Sequence, residues 1–232
     1  MRLRNPFSTL KKGEYALWVC SLVIVGVSLI ISGSGDIVSL SAPIVGVTAL
    51  IFVAKGDVFG QVLTVLFSLL YAVLSLRFRY YGEMITYLCM TMPIAALSVV
   101  TWLKNPYSET QVKVSRLKNP ERILLAVLTA AVTFAFYFIL KAFDTPNLAV
   151  GTLSIATSFS AAYLQMRRSP AYAVAYAAND LVLITLWVMA SMTDISYLST
   201  AVCFLMFFIN DIYGFISWSK MKKEQAKSTP LL

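Results

Sequence analysis

Towards the end of the chain two Asn-Asp pairs stand where apolar segments have little reason to hold them. Asn179 and Asp180 interrupt AYAVAYAANDLVLITLWVMA, and Asn210 and Asp211 interrupt YLSTAVCFLMFFINDIYGFISW. A carboxylate at the depth of a bilayer costs about 2.5 kcal/mol or more, so such groups face a protein interior or a wet cavity and mark a pathway or a site. On a helix Asn210, Tyr213 and Ser217 share a stripe, with Gly214 beside it and Trp218 at its end. A second stripe takes Tyr172, Tyr176, Asn179 or Asp180, Leu183 and Trp187 at helical spacing. A third, in VFGQVLTVLFSLLYAVLSL, takes Gln61, Thr64, Ser68, Tyr71 and Ser75. Amides that both donate and accept, set among ring faces, suit recognition of a flat, polar, ring-bearing solute. The competing structural reading is that the Asn-Asp pairs bond helix to helix and the hydroxyls bond their own backbone.

Several other chemistries lose their reagents. The 232 residues include no histidine, which removes zinc-protease, haem-His and His-relay sites together. The three cysteines, Cys20, Cys89 and Cys203, lie in apolar runs without a C-x-x-C spacing, so neither a disulfide framework nor a zinc site is expected, and no cofactor is. A formal charge of +8 would suggest nucleic acid in a soluble protein. Here the basic residues sit at the ends of apolar runs and read as topology signals and lipid-headgroup contacts, so no nucleic-acid partner is expected.

The stripes need helices to carry them. With 59% hydrophobic residues and a mean hydropathy of +0.76, the chain reads as an all-α, polytopic membrane protein. Hydropathy places eight transmembrane helices: 15–32, 38–54, 58–76, 84–103, 123–141, 148–166, 171–190 and 197–218. The opening MRLRNPFSTLKKGE is polar and basic, so no removable signal peptide is expected. All but three of the 19 lysines and arginines then fall on one side, the exceptions being Arg77, Arg79 and Lys141. The positive-inside rule makes that side, and both termini, cytoplasmic.

With this topology spans 2–4 and spans 6–8 run in the same direction, as a parallel repeat requires, with solute held between the halves. Aligning Trp102 with Trp218 sets Tyr71 on Trp187 and Lys55-Gly56 near Arg167-Arg168. The whole chain, 1–232, forms one transmembrane domain. It divides into an extra N-terminal helix (1–35) without a counterpart, a first unit (36–104), a basic loop and linker helix (105–142), a second unit (143–219) and a cytoplasmic tail (220–232). Trp18, Trp102 and Trp218 suit the headgroup belt. Loop and tail read as solvated topology determinants. Pro93 frees a backbone carbonyl in span 4 and invites a kink, and small residues such as Gly26, Gly46 and Gly151 could mark contacts within or between subunits of a homo-oligomer.

The patterns N-D-x-x-x-x-x-x-W from Asn179 to Trp187 and N-x-x-Y-G-x-x-x-W from Asn210 to Trp218 are similar to the carboxy-terminal signature of the PnuC-type vitamin-precursor transporters of bacteria. The resemblance implies a SWEET-like three-plus-one-plus-three bundle. It also implies facilitated diffusion of a phosphate-free vitamin or nucleoside, trapped afterwards by a cytoplasmic kinase. For nicotinamide riboside, Asn179, Asn210, Gln61 and Thr64 would meet hydroxyls and carboxamide. Trp187, Tyr176 and Tyr213 would stack on the pyridinium, and Asp180 or Asp211 would supply counter-charge. Thiamine, riboflavin or a deoxynucleoside is the alternative cargo, and a non-transporting membrane subunit is the alternative class. An enzyme is not expected.

Overall fold

The structure, a computed structural model, describes residues 5–33 and 37–227. Arg2 and Arg4, residues 34–36 and the tail residues 228–232 lie outside the described residues. Eight long helices are found among the described residues: α1 Lys12–Ile31, α2 Ile37–Ala54, α3 Val58–Arg77, α4 Tyr81–Leu103, α5 Asn119–Ala142, α6 Leu148–Met166, α7 Ala171–Ser191 and α8 Leu198–Lys227. Local chemistry sets their ends. Glu14 accepts from the Lys11 N–H at 2.7 Å and Glu121 from the Lys118 N–H at 3.0 Å, so α1 and α5 open on the same glutamate half of a capping box. Asp57 caps α3 by accepting from the Phe59 N–H at 2.9 Å.

Seven of the eight are long and apolar enough to cross a membrane. The other, α6, is diluted by hydroxyls, but these are satisfied within the helix: Thr152 donates to Leu148 O and Ser160 to Ala156 O, each at 2.8 Å. Within α4 residues Tyr87–Thr91 form a π-helical turn, directly before Pro93. A proline lacks its N–H and its ring crowds the carbonyl four residues back, and widening the preceding turn relieves both.

Helices α2, α3, α4, α6, α7 and α8 pack in that order into a closed ring, α8 returning to α2. Helix α1 lies outside against α2 and α8, and α5 lies outside against α6 and the start of α4. Exchanging α1–α4 with α5–α8 maps this set of contacts onto itself. In this exchange α1, the extra N-terminal helix, takes the position that the linker helix α5 takes beside the other three-helix unit. Matching ion pairs support this: Glu14 pairs with Lys55, just after α2, and Glu121 with Arg167, just after α6.

Polar bonds lace α1 to the ring at three levels. Glu14, 5% exposed, takes Lys55 Nζ at 2.8 Å and the Tyr213 hydroxyl at 2.8 Å. Trp18 Nε1 donates to Thr48 Oγ1 at 3.0 Å, and Asn210 Nδ2 to Ser21 Oγ at 3.0 Å. Glu14→Ala would leave the Lys55 ammonium largely buried without its anion, at a cost of about 3 kcal/mol. Thermal unfolding in detergent should show that loss, and Lys55→Ala should cost much less in the Glu14→Ala background than alone.

Two expectations about the basic segments change. Helix α8 does not end at Trp218 but runs to Lys227, and Gln225 on its extension is buried. Its side chain accepts from the Val114 N–H at 2.8 Å and donates to Val112 O at 3.0 Å. The loop between α4 and α5 is thereby docked rather than free, because its backbone groups need partners once Val112 is buried. The Val112 N–H reaches Gly56 O at 2.9 Å and the Ser115 N–H reaches Arg168 O at 3.0 Å. Those carbonyls occupy the same place in the two halves, so the loop straps them together at the end of the ring that carries the termini.

Candidate functional site

The ring is plugged at both ends by aromatic pairs built from equivalent positions. At the terminal end Trp102 and Trp218 lie 5.4 Å apart, centroid to centroid, and both are fully buried. Trp102 Nε1 donates across the ring to Gln165 O at 3.0 Å, and Trp218 Nε1 donates to Val53 O at 2.8 Å. Each indole adds a second donor to a carbonyl at the last turn of the other half's first ring helix, which also accepts from the turn N–H of Gly56 or Arg168. These tryptophans are not belt residues, because each finds its partner inside the protein. At the far end Trp187 Nε1 donates to the Tyr71 hydroxyl at 2.9 Å, and Tyr80 packs on Trp187 at 4.7 Å. Burial pushes the Tyr80 phenol above its ordinary pKa.

Between the plugs the ring holds acidic side chains. Asp180 and Asp211, each 3% exposed, bring their carboxyls within hydrogen-bonding reach of one another, and Asp180 Oδ2 has no other partner. Glu83, also 3% exposed, has one oxygen 3.5 Å from Ser154 Oγ and the other without a partner. Tyr87 is buried within the field of both Glu83 and Asp180. Gln61 is fully buried on α3 with neither amide atom bonded. Among the described buried residues there is no lysine or arginine. Two carboxyls this close in a low-dielectric interior share a proton, because one must donate to the other, so the pair together with Glu83 presents acidic groups that complement a cation. Its walls add ring faces: Tyr71 and Tyr87 lie 4.3 Å apart, with Phe67 stacked on Tyr71 at 5.6 Å.

The stripes separate by direction. Asn179 and Asp180 sit next to each other but diverge: Asn179 Oδ1 accepts from Thr157 Oγ1 of α6 at 2.8 Å, whereas Asp180 meets α8. Tyr176 donates to Gln165 Oε1 at 3.1 Å. Thr64 is half-buried and returns its hydroxyl to Gly60 O at 2.9 Å. Asn210 and Tyr213 face α1, through Ser21 and Glu14, rather than Asp180. Thus Asp180, Asp211, Tyr176, Trp187 and Gln61 point into one ring, and Asn210 and Tyr213 hold its outer helix.

Sequence reasoning missed Glu83 and Gln165. Starting span 4 at Met84 left Glu83 in a loop, yet Tyr80, Glu83 and Tyr87 keep helical spacing and would have extended the segment back over it. Gln165 lies one residue before the end of α6, where an amide reads as a boundary rather than a group bonded to Tyr176.

The family model for nicotinamide mononucleotide transporters matches residues 36–220. The nicotinamide riboside transporter PnuC of Neisseria mucosa is 23% identical over 182 residues, covering 76% of this chain and 69% of that protein. A crystal structure of the vitamin B3 transporter PnuC superposes with a TM-score of 0.79 at 22% identity, over 93% of this chain and 94% of that one.

Proposed function

The chain belongs to the nicotinamide mononucleotide transporter family, and from that premise we propose that it carries nicotinamide riboside across a bacterial cytoplasmic membrane. The observation that carries this choice is the chamber's charge: three buried carboxyl side chains, Glu83, Asp180 and Asp211, and no buried base among the described residues. A mononucleotide would bring a phosphate into that field unpaired, at a cost of several kcal/mol. The riboside brings a pyridinium cation, which the carboxylates and the faces of Tyr87, Tyr176 and Trp187 attract. The free amide of Gln61 complements a carboxamide or ribose hydroxyl.

Movement follows from the two halves rocking about the chamber, with the tryptophan plugs opening alternately. The terminal end is the cytoplasmic one, by its basic residues, and a cytoplasmic kinase traps the product. Asn210 and Tyr213 contribute by holding α1.

Uptake into proteoliposomes tests this. Labelled riboside should enter saturably without a pH or sodium gradient. Unlabelled mononucleotide should compete at least about 100-fold more weakly, corresponding to roughly 3 kcal/mol for the unpaired phosphate, and thiamine and riboflavin should not displace the riboside. Equal competition by the mononucleotide would refute the charge argument. Asn210→Ala should lower the melting temperature through the lost Ser21 bond, a loss of about 1 kcal/mol, without changing KM.

A further inference from the structure

A second, differently charged cleft lies at the terminal end, between the strap loop and helices α5 to α8. Arg116 from the loop, Arg122 from the first turn of α5 and Lys222 from the extension of α8 line it, together with the hydroxyls of Ser115, Ser169 and Ser219. No carboxylate is among the described residues that line it. Its remaining wall is apolar, with Leu164, Val174 and Phe215 leading from the charged rim along the helices.

Arg168 flanks this cleft, through its neighbour Ser169 and through its carbonyl, which takes the Ser115 N–H at 3.0 Å. Its Nε and Nη1 are buried without any hydrogen-bond partner. The nearby Glu121 is engaged by Arg167. Burial, and then Arg167, hold the Arg168 guanidinium below its ordinary pKa. Comparison between the halves sharpens the point. After α2 the chain turns with Lys55 and then Gly56 at φ +72°, a glycine geometry. After α6 the equivalent turn uses Arg167 and then Arg168 at φ +57°. A left-handed arginine costs about 1 kcal/mol against glycine and persists where its side chain is needed.

We propose that this cleft binds the phosphate headgroup of an anionic phospholipid, with Arg168, Arg116 and Lys222 as its cations and the apolar wall along its acyl chains. Arg116, Arg122 and Lys222 line the recess from separate segments and Arg168 flanks it, and a basic recess between spans on that side has the complementary charge. Occupancy would pin the strap loop to the second half of the ring and so bias the terminal plug toward closure.

The test uses the full chain in lipid-free detergent, titrated with phosphatidylglycerol, phosphatidylcholine or inorganic phosphate. Binding is read by native mass spectrometry and by the melting shift. Phosphatidylglycerol should bind and raise the Tm, and phosphatidylcholine should do neither. The combined Arg116→Gln, Arg168→Gln and Lys222→Gln variant should bind about 100-fold more weakly, about fivefold for each cation. A variant with the same charge change elsewhere, Lys12→Gln with Lys104→Gln and Lys113→Gln, should keep full affinity. Equal weakening in both triples would reduce the effect to diffuse charge and overturn the site. Inorganic phosphate giving the same Tm rise would make it a free-anion site and overturn the lipid. Arg168→Gly, which suits the turn, should raise the Tm of the lipid-free protein yet weaken phosphatidylglycerol binding. Unchanged binding in that variant would overturn the assignment.

Discussion

Asp180→Ala should lower uptake of labelled nicotinamide riboside into proteoliposomes by roughly 30-fold to 100-fold while leaving the protein at least as stable as the parent. The first half follows from desolvation. A cation entering the ring gives up its water, and removing its buried counter-charge costs about 3 kcal/mol, moderated here because Asp211 remains. The second half follows from the same geometry read without ligand. Asp180 is a buried carboxyl with Oδ2 unpartnered, so deleting it removes a costly desolvation along with the proton it shares with Asp211. Asp180→Asn, which keeps shape and removes charge, should show the same loss. The uncharged dihydro form of the riboside should be transported poorly by the parent and relatively better by either variant. Full uptake in Asp180→Asn would remove the counter-charge role. Loss of uptake together with loss of thermal stability would instead make Asp180 a packing residue.

The second large effect concerns packing. Gly60 in α3 lies against α2 so closely that an added Cβ would sit 2.4 Å from the Val53 nitrogen and 2.8 Å from the Phe52 carbonyl carbon. Both are backbone atoms, which cannot turn aside as a side chain can. Gly60→Ala must therefore part α2 from α3, at a cost of about 3 kcal/mol. The damage should also reach function, because Val53 supplies the carbonyl that holds Trp218 at the terminal plug. Gly151→Ala is the contrasting case. Its nearest neighbour would be Leu140 Cδ1 at 3.7 Å, an ordinary contact. Alanine is the better helix former, so that variant should gain about 0.5–1 kcal/mol. Melting curves in detergent separate the two, and similar stabilities would contradict the close approach at Gly60.

The helices were legible before any coordinates because each is a statement about neighbours in the chain. Apolar runs near 20 residues and basic residues at their ends are local facts, and local facts fix spans and direction. The extension of α8 to Lys227 escaped for the same reason in reverse. Hydropathy ends where the lipid ends, whereas that helix continues because Gln225 finds Val112 and Val114 more than a hundred positions away.

The chamber was half legible. Tyr172, Asp180, Leu183 and Trp187 share a helix face by spacing alone, and their burial follows that face. Spacing cannot say what a face meets, however. Asn210 and Tyr213 carry the same amide and phenol chemistry as Asn179 and Tyr176, yet they bond Ser21 and Glu14 of α1, because α8 borders both the ring and the outer helix. Glu83 gained its place only when α4 was seen to begin at Tyr81. Membrane residence, eight long helices and their parallel halves thus follow from local hydropathy and charge. Which polar groups share a space follows from helix rotation and the closing of the ring, terms set by contacts among distant residues.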